Sequence, residues 1–398
     1  MVEIMVKLIQ FYSPRGLKLS KAENQYVWDV DGRKYLDCHA QYGSLFLGHR
    51  NPKIVNSIRE QLNLIYGAYP AFDTEPKERA LESLDKILPK KLEYVYMFNG
   101  GSEAVELSLK VARKLTGRKK FISFINAFHG RTMGALSVTW NPRYREGYDP
   151  FPWEVKFLPY NKIEELEKEV DDETAGVIVE VIQGEGGLNE ASVEFLKTIR
   201  EACDRTGAQM IVDEVQTGFG RTGLLWAHQI ANIEPDILVA GKAIGGGFPV
   251  SLAAFKTELG EKLKEGDHGS TFGVNPLACA ALTASINVLL EENVVEKTAQ
   301  IGRVFKKSLE ELKEEFSEVV RAVKGRGLMI GLETRFEPAQ ILKLLQDNGV
   351  IALRAGKLVV RFLPPYMITV QDIEFVTEKL RKILSQVKED KIVAKTST

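Results

Sequence analysis

The 398-residue chain has little cysteine, and Cys38, Cys203 and Cys279 lie far apart with no CxxC pair. That spacing argues against a disulfide framework or a zinc site and for a reducing compartment. Five histidines show no ligand spacing either, so no metal is expected. Charge of one sign is also missing: 53 basic and 54 acidic residues leave a net −1, which gives no global field for nucleic acid or an anionic membrane. No run of about 18 apolar residues occurs. The opening MVEIMVKLIQFYSPRG is too charged for a signal peptide. These absences predict a cytoplasmic protein with a small-molecule partner, no nucleic acid and no membrane. Length is not lacking, and the chain can build a core without staples as one large plus one small domain or two similar ones.

Near the start, QYVWDVDGRKYLDCH sets alternating large apolar residues around Asp31-Gly32, a dipeptide that favours a hairpin turn. Beyond Asn51, short apolar runs alternate with amphipathic stretches: Tyr94 to Phe98, Phe121 to Ile125, Gly176 to Ile182, Gln209 to Val215 and Asp236 to Ala240. Such alternation predicts a mostly parallel sheet. Val193, Leu196, Ile199 and Cys203 fall three or four apart, so a crossover helix with one buried face should join the third run to the fourth. Past Pro276 the pattern turns to long helices such as Glu296 to Phe316, glycine-spaced strands near Gly325 to Gly331 and Lys357 to Leu363, and a last helix from Val370 to Val387. The closing KIVAKTST is expected to fray. This reading divides the chain into 1–48, the N-terminal part of a small domain, 49–285, the large domain, and 286–398, the rest of the small domain.

The most informative segment is PDILVAGKAIGGGFPVS, Pro235 to Ser251, which sets Lys242 between a buried strand and a glycine cluster. A lysine in water titrates at about 10.4, but in a dry pocket it loses its proton readily and can attack a carbonyl. The placement suggests a Schiff-base lysine at the edge where an α/β sheet opens toward its ligand. An exposed loop lysine is the plain alternative.

Other strand ends carry matching groups. Asn99-Gly100-Gly101-Ser102-Glu103 leads into a helix whose first amides can hold a phosphate, although Ser102 could equally be a simple N-cap. Phe128 could stack on a ring or belong to the core. Asp213 follows a buried strand, where a carboxylate is unusual unless a cation meets it. A protonated pyridine nitrogen would meet it. Lys242, Asp213, Gly101 with Ser102, and Phe128 thus fit the aldehyde, ring nitrogen, phosphate and ring face of one pyridoxal phosphate. Two nucleotide patterns fail. Gly218-Phe-Gly220-Arg-Thr-Gly223 matches GxGxxG but opens no clear amphipathic helix, and Gly241-Lys242 lacks the Ser/Thr and leading glycine of a P-loop.

NGGSEAVELSLKVAR, AFHGRTMGALSVTWN, VIVEVIQGEGG, IVDEVQTGFGRTG, ILVAGKAIGGGFPVS and GDHGSTFGVNPLACAA together resemble the class-III, fold type I, pyridoxal-phosphate aminotransferases, in the acetylornithine branch. With RGLKLSKAENQYVWDVDGRKYLD and RFLPPYMIT they are most similar to archaeal lysine and arginine biosynthetic members, which act on an amine carried by the small acidic protein LysW. The resemblance implies a mostly parallel seven-stranded sheet in the large domain and a smaller α/β domain built from both termini. It implies that Lys242 holds the cofactor aldehyde and then shuttles the proton. Asp213 would pair with the ring nitrogen and Gln216 with the ring hydroxyl, Glu214 and Val215 completing that wall. Gly101 and Ser102 would hold the phosphate, and Phe128 would cover the ring. Ser270 and Thr271 would reach the neighbouring subunit's substrate and phosphate in an obligate homodimer. Arg131 would take a distal carboxylate and Arg361 the α-carboxylate of glutamate or 2-oxoglutarate, with Glu185 as switch partner.

That last pairing has its own logic. When the donor presents a side-chain amine, Arg361 would be an uncompensated buried charge unless Glu185 neutralised it; when glutamate arrives, its carboxylate takes the arginine. Taken singly, Arg361 could be a structural ion-pair member and Glu185 a solvated loop acid. Gly100, Val181 and Val274 depart from the family's usual serine, proline and glycine, and Tyr42 resembles ornithine aminotransferases more than acetylornithine enzymes. The expected reaction is transfer of a terminal amino group from a carrier-bound or N-acetylated lysine or ornithine to 2-oxoglutarate, giving a semialdehyde and glutamate. Free ornithine or 4-aminobutyrate is the alternative donor, and a non-catalytic cofactor binder is the alternative class. An acidic carrier calls for a basic rim, for which Arg143 and Arg145 are candidates.

Overall fold

The computed structural model describes residues 6–396, with side chains to residue 389. Its centre is a seven-stranded sheet with crossover helices. In chain order the elements are β1 (Tyr94–Phe98), α1 (Gly101–Thr116), β2 (Lys120–Phe124), β3 (Glu154–Leu158), β4 (Thr174–Glu180), α2 (Val193–Thr206), β5 (Gln209–Asp213), β6 (Ile237–Ala240) and β7 (Ser251–Phe255). The strands lie side by side as β1-β7-β6-β5-β4-β2-β3. Pairing is parallel throughout except around β7, which runs against both β6 and β1. The carboxyl ends of the other six strands therefore share one edge, where open α/β sheets bind ligands. Strands β4, β6 and β7 are buried along their whole length, as a sheet covered on both faces requires.

Local chemistry sets the helix ends that matter here. Glu103 folds back so that its Oε2 accepts from the Gly100 amide at 2.8 Å and the Asn99 amide at 3.2 Å, fixing where α1 begins. Gly117, at φ +72°, ends it. Helix α2 starts at Ser192, whose Oγ accepts from Phe195 N at 3.0 Å. It buries Leu196, Ile199 and Cys203 as the spacing predicts, but Val193 is 40% exposed. Being in the first turn, Val193 precedes the contact with the sheet, and Phe195 fills its expected place.

The termini meet in a second region. Tyr26–Asp29 pairs antiparallel with Lys34–Asp37 around Gly32, at φ +81°, confirming the hairpin. Lys34–Asp37 then pairs in parallel with Val350–Ile351, so both ends of the chain share one sheet. Another four-stranded sheet orders Val320–Arg326, Met329–Thr334, Val359–Phe362 and Leu353–Ala355. The last helix, Val370–Thr396, runs past the expected Val387 and through most of KIVAKTST, whose final two residues lie outside the described ones. Among the described residues no single helix is long and apolar enough to cross a membrane.

The GFGRTG segment is a clamp. A Cβ on Gly218 would stand 2.7 Å from the Trp226 ring, and one on Gly223 would stand 3.0 Å from Ala299 Cα, so both glycines are required by close packing. Fully buried Arg221 donates to the carbonyls of Gly43 (2.9 Å), Leu328 (3.1 Å) and Pro364 (2.6 Å) and lies 4.1 Å from the Phe46 ring centroid. Burial with no acid beside it lowers its pKa to about 9. One guanidinium thereby ties the N-terminal segment to the loop after β5 and to the C-terminal sheet.

Candidate active site

Strand β6 delivers Lys242 to the carboxyl edge through Gly241, and Lys242 itself adopts φ +49°. For a lysine that left-handed conformation costs on the order of 1 kcal/mol, a strain typical of functional positions. Burial is the main reason its amine titrates below the usual lysine range; Glu185 opposes the shift, Arg361 adds to it, and Asp213 and Glu180 oppose it more weakly. Those four groups, which the sequence spreads over more than a hundred positions, thus lie within electrostatic reach of one amine. The exposed-loop alternative for Lys242 is set aside by this environment.

Asp213, 5% exposed, ends β5. Its Oδ1 accepts from Val215 N at 3.0 Å and its Oδ2 from His129 Nδ1 at 2.7 Å. His129 is itself buried and held by Thr139 Oγ1, which accepts from its backbone amide at 2.9 Å. Sequence reasoning passes over His129, because a lone histidine in AFHGR carries no spacing signal; only the fold puts it against Asp213. It is a positioning residue that holds the Asp213 carboxylate through Oδ2.

Glu180, at the end of β4, reads in the sequence as part of an apolar strand. Its Oε1 accepts from Phe128 N and its Oε2 from Gly184 N, each at 2.9 Å, so one acid joins the β2 and β4 loops. Burial raises its pKa to about 7, with Asp213 adding to the rise and His129 and the two amides resisting it. Because this value exceeds the ordinary 4.5, the folded state holds the proton more tightly; the stabilisation is full below 4.5 and is lost as pH rises through about 7. The melting temperature should therefore fall between about pH 5 and pH 7.5, and Glu180→Gln should flatten that fall. Equal slopes in thermal scans of the two proteins would contradict the assignment.

At the phosphate end, Gly100 is the N-cap of α1 and Ser102 lies inside its first turn, so the N-cap alternative for Ser102 is corrected. Ser102 Oγ instead accepts from Arg131 N at 3.2 Å. A Cβ on Gly101 would meet Val215 Cγ1 at 3.1 Å, and one on Gly241 would meet it at 3.4 Å. Val215 is thus the spacer between the helix start and the lysine loop. The Glu214 side chain is engaged within its own loop. Its Oε1 accepts from His228 N at 2.8 Å and lies 3.0 Å from His228 Nδ1, while its Oε2 accepts from Thr217 Oγ1 at 2.5 Å. Both oxygens are engaged inside the loop, which makes Glu214 a brace.

Arg361 is 0% exposed on strand Val359–Phe362. Its Nη1 lies 2.8 Å from Glu185 Oε1 and donates to Gly184 O at 2.6 Å and Gln216 Oε1 at 2.9 Å. Burial pushes the Glu185 carboxyl up, but Arg361 first and Lys242 next pull it below its ordinary value. Gln216 Nε2 reaches the same Glu185 oxygen at 3.5 Å, so Gln216 links the switch pair to the loop carrying Asp213.

The substrate side is aromatic. Phe128 and Tyr144 rings meet at 6.1 Å, and the exposed Arg131 guanidinium sits 3.6 Å from the Tyr144 centroid. Tyr42 arrives on a turn of left-handed backbone, Ala40 to Gly43, with φ of +42°, +51°, +55° and +85°. Three such non-glycine residues cost roughly 1–2 kcal/mol each. Asp37 Oδ1 offsets part of this by accepting from His39 N and Ala40 N at 2.9 Å, and Arg221 holds Gly43 O. The turn sets Tyr42 4.6 Å from the His39 ring and within electrostatic reach of Glu185 and Arg361. Ser270 and Thr271 lie on a separate loop, Thr271 exposed; among the described residues no hydrogen bond joins either side chain to Gly101, Ser102 or Lys242.

This donor set fits pyridoxal phosphate. Asp213 is a buried acid with no lysine or arginine paired to it among the described residues, which leaves a place for a cationic ring nitrogen. The glycine-lined start of α1 admits a phosphate.

A family model described as aminotransferase class-III matches residues 12–384. The chain is 52% identical over 393 residues, 98% of its length and 100% of the relative's, to a [LysW]-aminoadipate semialdehyde/glutamate semialdehyde transaminase of Sulfolobus acidocaldarius. It is 42% identical over 371 residues to an acetylornithine aminotransferase of Archaeoglobus fulgidus, covering 93% and 96% of the two chains. Among solved structures, an ornithine aminotransferase from Toxoplasma gondii with partial occupancy of PLP at its active site superposes with a TM-score of 0.91 at 31% identity, over 96% of this chain and 93% of that one.

Proposed function

The chain belongs to the class-III aminotransferases, a pyridoxal-phosphate-dependent family of fold type I, and from that premise we propose the following reaction. The enzyme moves the terminal amino group of an N-blocked lysine or ornithine, carried on a small acidic protein of the LysW kind, to 2-oxoglutarate. The products are a semialdehyde and glutamate, in lysine and arginine biosynthesis in the cytoplasm. The single observation that carries this reading is the buried Arg361–Glu185 pair within reach of Lys242. It suits a site that must take an α-carboxylate in one half-reaction and none in the other.

When bound, the cofactor supplies an aldehyde for the amine and a cationic ring that absorbs electrons as a C–H bond breaks. Lys242, whose amine burial holds below the usual lysine range, would hold the cofactor aldehyde and move a proton to and from its Nζ. Asp213, held by His129, would pair with the cationic ring nitrogen. Gly101 and Ser102 hold the phosphate, Gln216 the ring hydroxyl, and Phe128 the ring face. Arg131 would pair with a distal carboxylate. Ser270 and Thr271 of each subunit serve the other subunit's substrate and phosphate. Exposed Leu64, Tyr66, Tyr69, Phe72 and Phe272 supply the apolar surface that such a homodimer would bury.

The archaeal relatives' names support the carrier-linked donor. So does the turn Pro142–Arg145, where Arg143 is exposed and Arg145 packs 4.9 Å from the Phe151 and Phe157 rings beside Tyr144. Free ornithine is the second reading, favoured by Tyr42. Coupled assays of glutamate formation with LysW-linked lysine, LysW-linked ornithine, N-acetylornithine, free ornithine and 4-aminobutyrate decide. Expected is a kcat/KM at least about tenfold higher for a carrier-linked donor, with a KM that rises with salt for that donor but not for glutamate. Equal values for free ornithine would sink the carrier reading.

A further inference from the structure

A cavity of about 670 Å³ lies away from the cofactor crevice, between β1, the outer face of α1 and the loop Gly260 to His268. Tyr94, Tyr96, Trp153 and Phe255 give it an aromatic lining, and Leu107 and Val111 of α1 complete the apolar part. Its rim carries Lys110, Arg113, Lys114 and Lys264 against Glu265 and Asp267, with Glu106 and Glu103 of α1 also within electrostatic reach of His268. Lys114 is paired with Asp267. The other three have no ion pair among the described residues.

Two details show a positive charge waiting for a partner. Lys110 Nζ donates to His268 Nδ1 at 2.9 Å, and burial, then the Lys110 charge itself, holds that imidazole below its ordinary pKa. The ammonium therefore rests on an imidazole and not on a carboxylate. Arg113 lies 5.4 Å from the centroid of the Trp153 ring, an arrangement that leaves its N–H groups free to receive an anion beside an aromatic face. The nearby acids are engaged elsewhere or exposed: Glu265 is exposed, Asp267 is paired with Lys114, Glu106 Oε2 accepts from Thr132 Oγ1 and the Gly134 and Ala135 amides, and Glu103 caps α1.

We propose that this cavity is a second ligand site, for a compact aromatic carboxylate whose ring lies against Trp153 and Tyr96 and whose anion is held by Arg113 and Lys110. The size admits a ligand of that class, since small-molecule sites run from about 300 to 1,000 Å³. The site also has a route to the crevice. The His268 ring packs edge-on against Phe98 at 5.5 Å, Phe98 ends β1 just before Asn99-Gly100-Gly101, and the loop continues from His268 into Ser270 and Thr271.

The test uses the holoenzyme as purified, with indole-3-acetate as probe and indole-3-acetamide as its uncharged counterpart, by isothermal titration calorimetry. Expected are one site per chain for the acid, at least tenfold weaker binding of the amide, and at least tenfold weaker binding of the acid to Arg113→Glu and to Lys110→Gln. Melting temperatures of the two variants establish that they fold. Slower hydrogen exchange across residues 260–275 on adding the acid, absent in Arg113→Glu, would place the ligand under that loop. Equal binding of acid and amide, binding unaffected by both substitutions, or no binding because a second copy closes the cavity would each overturn the proposal. None of these readouts depends on the amine donor or on turnover.

Discussion

Replacing Lys242 with alanine is expected to lower kcat for glutamate formation by about 10⁴-fold, the upper end of what one positioned proton-transfer group supplies. The size follows from two jobs falling on one nitrogen. Burial lowers its pKa, so free amine is reached at lower pH than for an exposed lysine. The same amine, freed when substrate takes its place, is positioned to move the proton. Lys242→Arg should be equally inactive, because a guanidinium stays charged in the same pocket. That second variant separates loss of chemistry from loss of charge. Borohydride reduction followed by peptide mapping should label Lys242 in the native enzyme. Full turnover by Lys242→Ala, or a label elsewhere, would remove the basis of the proposed reaction.

Much of this site can be read from the chain, and the parts that cannot share a physical reason. Strands β1, β2, β4, β5 and β6 announce themselves as short apolar runs, and the residues at or after the ends of all five are the ones that converge. Two strands escape. β3, Glu154–Leu158, is an edge strand whose EVKFL alternates weakly, and β7, Ser251–Phe255, follows the glycine cluster closely enough to read as its continuation. The antiparallel insertion of β7 is a tertiary choice with no local signature. His129 and Glu180 stay hidden because their importance is relational: neither has a spacing pattern, and each gains meaning from Asp213 or from amides far away in sequence. The left-handed turn carrying Tyr42 is equally hidden, since Ala40 and Gln41 have no preference for it; Asp37 and Arg221 impose it. Conversely, the GxGxxG pattern lacks the helix that nucleotide binding needs, and the structure gives its glycines a packing reason instead.

Glu185→Gln is expected to shift the ratio of kcat/KM values, glutamate over terminal amine, toward glutamate by about 10- to 100-fold, or roughly 1.4–2.8 kcal/mol. Arg361 has no exposure and cannot leave, whereas the Glu185 side chain is 28% exposed and can. Glutamate must displace that carboxylate from Nη1 to bind, so removing its charge removes a competitor. The terminal-amine half-reaction suffers in the opposite sense. With no α-carboxylate present and no acid at residue 185, the guanidinium keeps only Gly184 O, Gln216 Oε1 and a long contact to Arg354 O. Breaking a fully buried pair costs about 3–5 kcal/mol, and the partial exposure of Glu185 brings the expected shift below that range. The sign of the pH effect agrees: the Glu185 carboxyl titrates below its ordinary 4.5, so the pair persists above that value and is lost only as pH falls through the folded pKa. Single-turnover absorbance of each half-reaction measures the two rates separately. Equal losses in both would mean that Glu185 merely braces Arg361, and the alternation of substrates would then need another explanation.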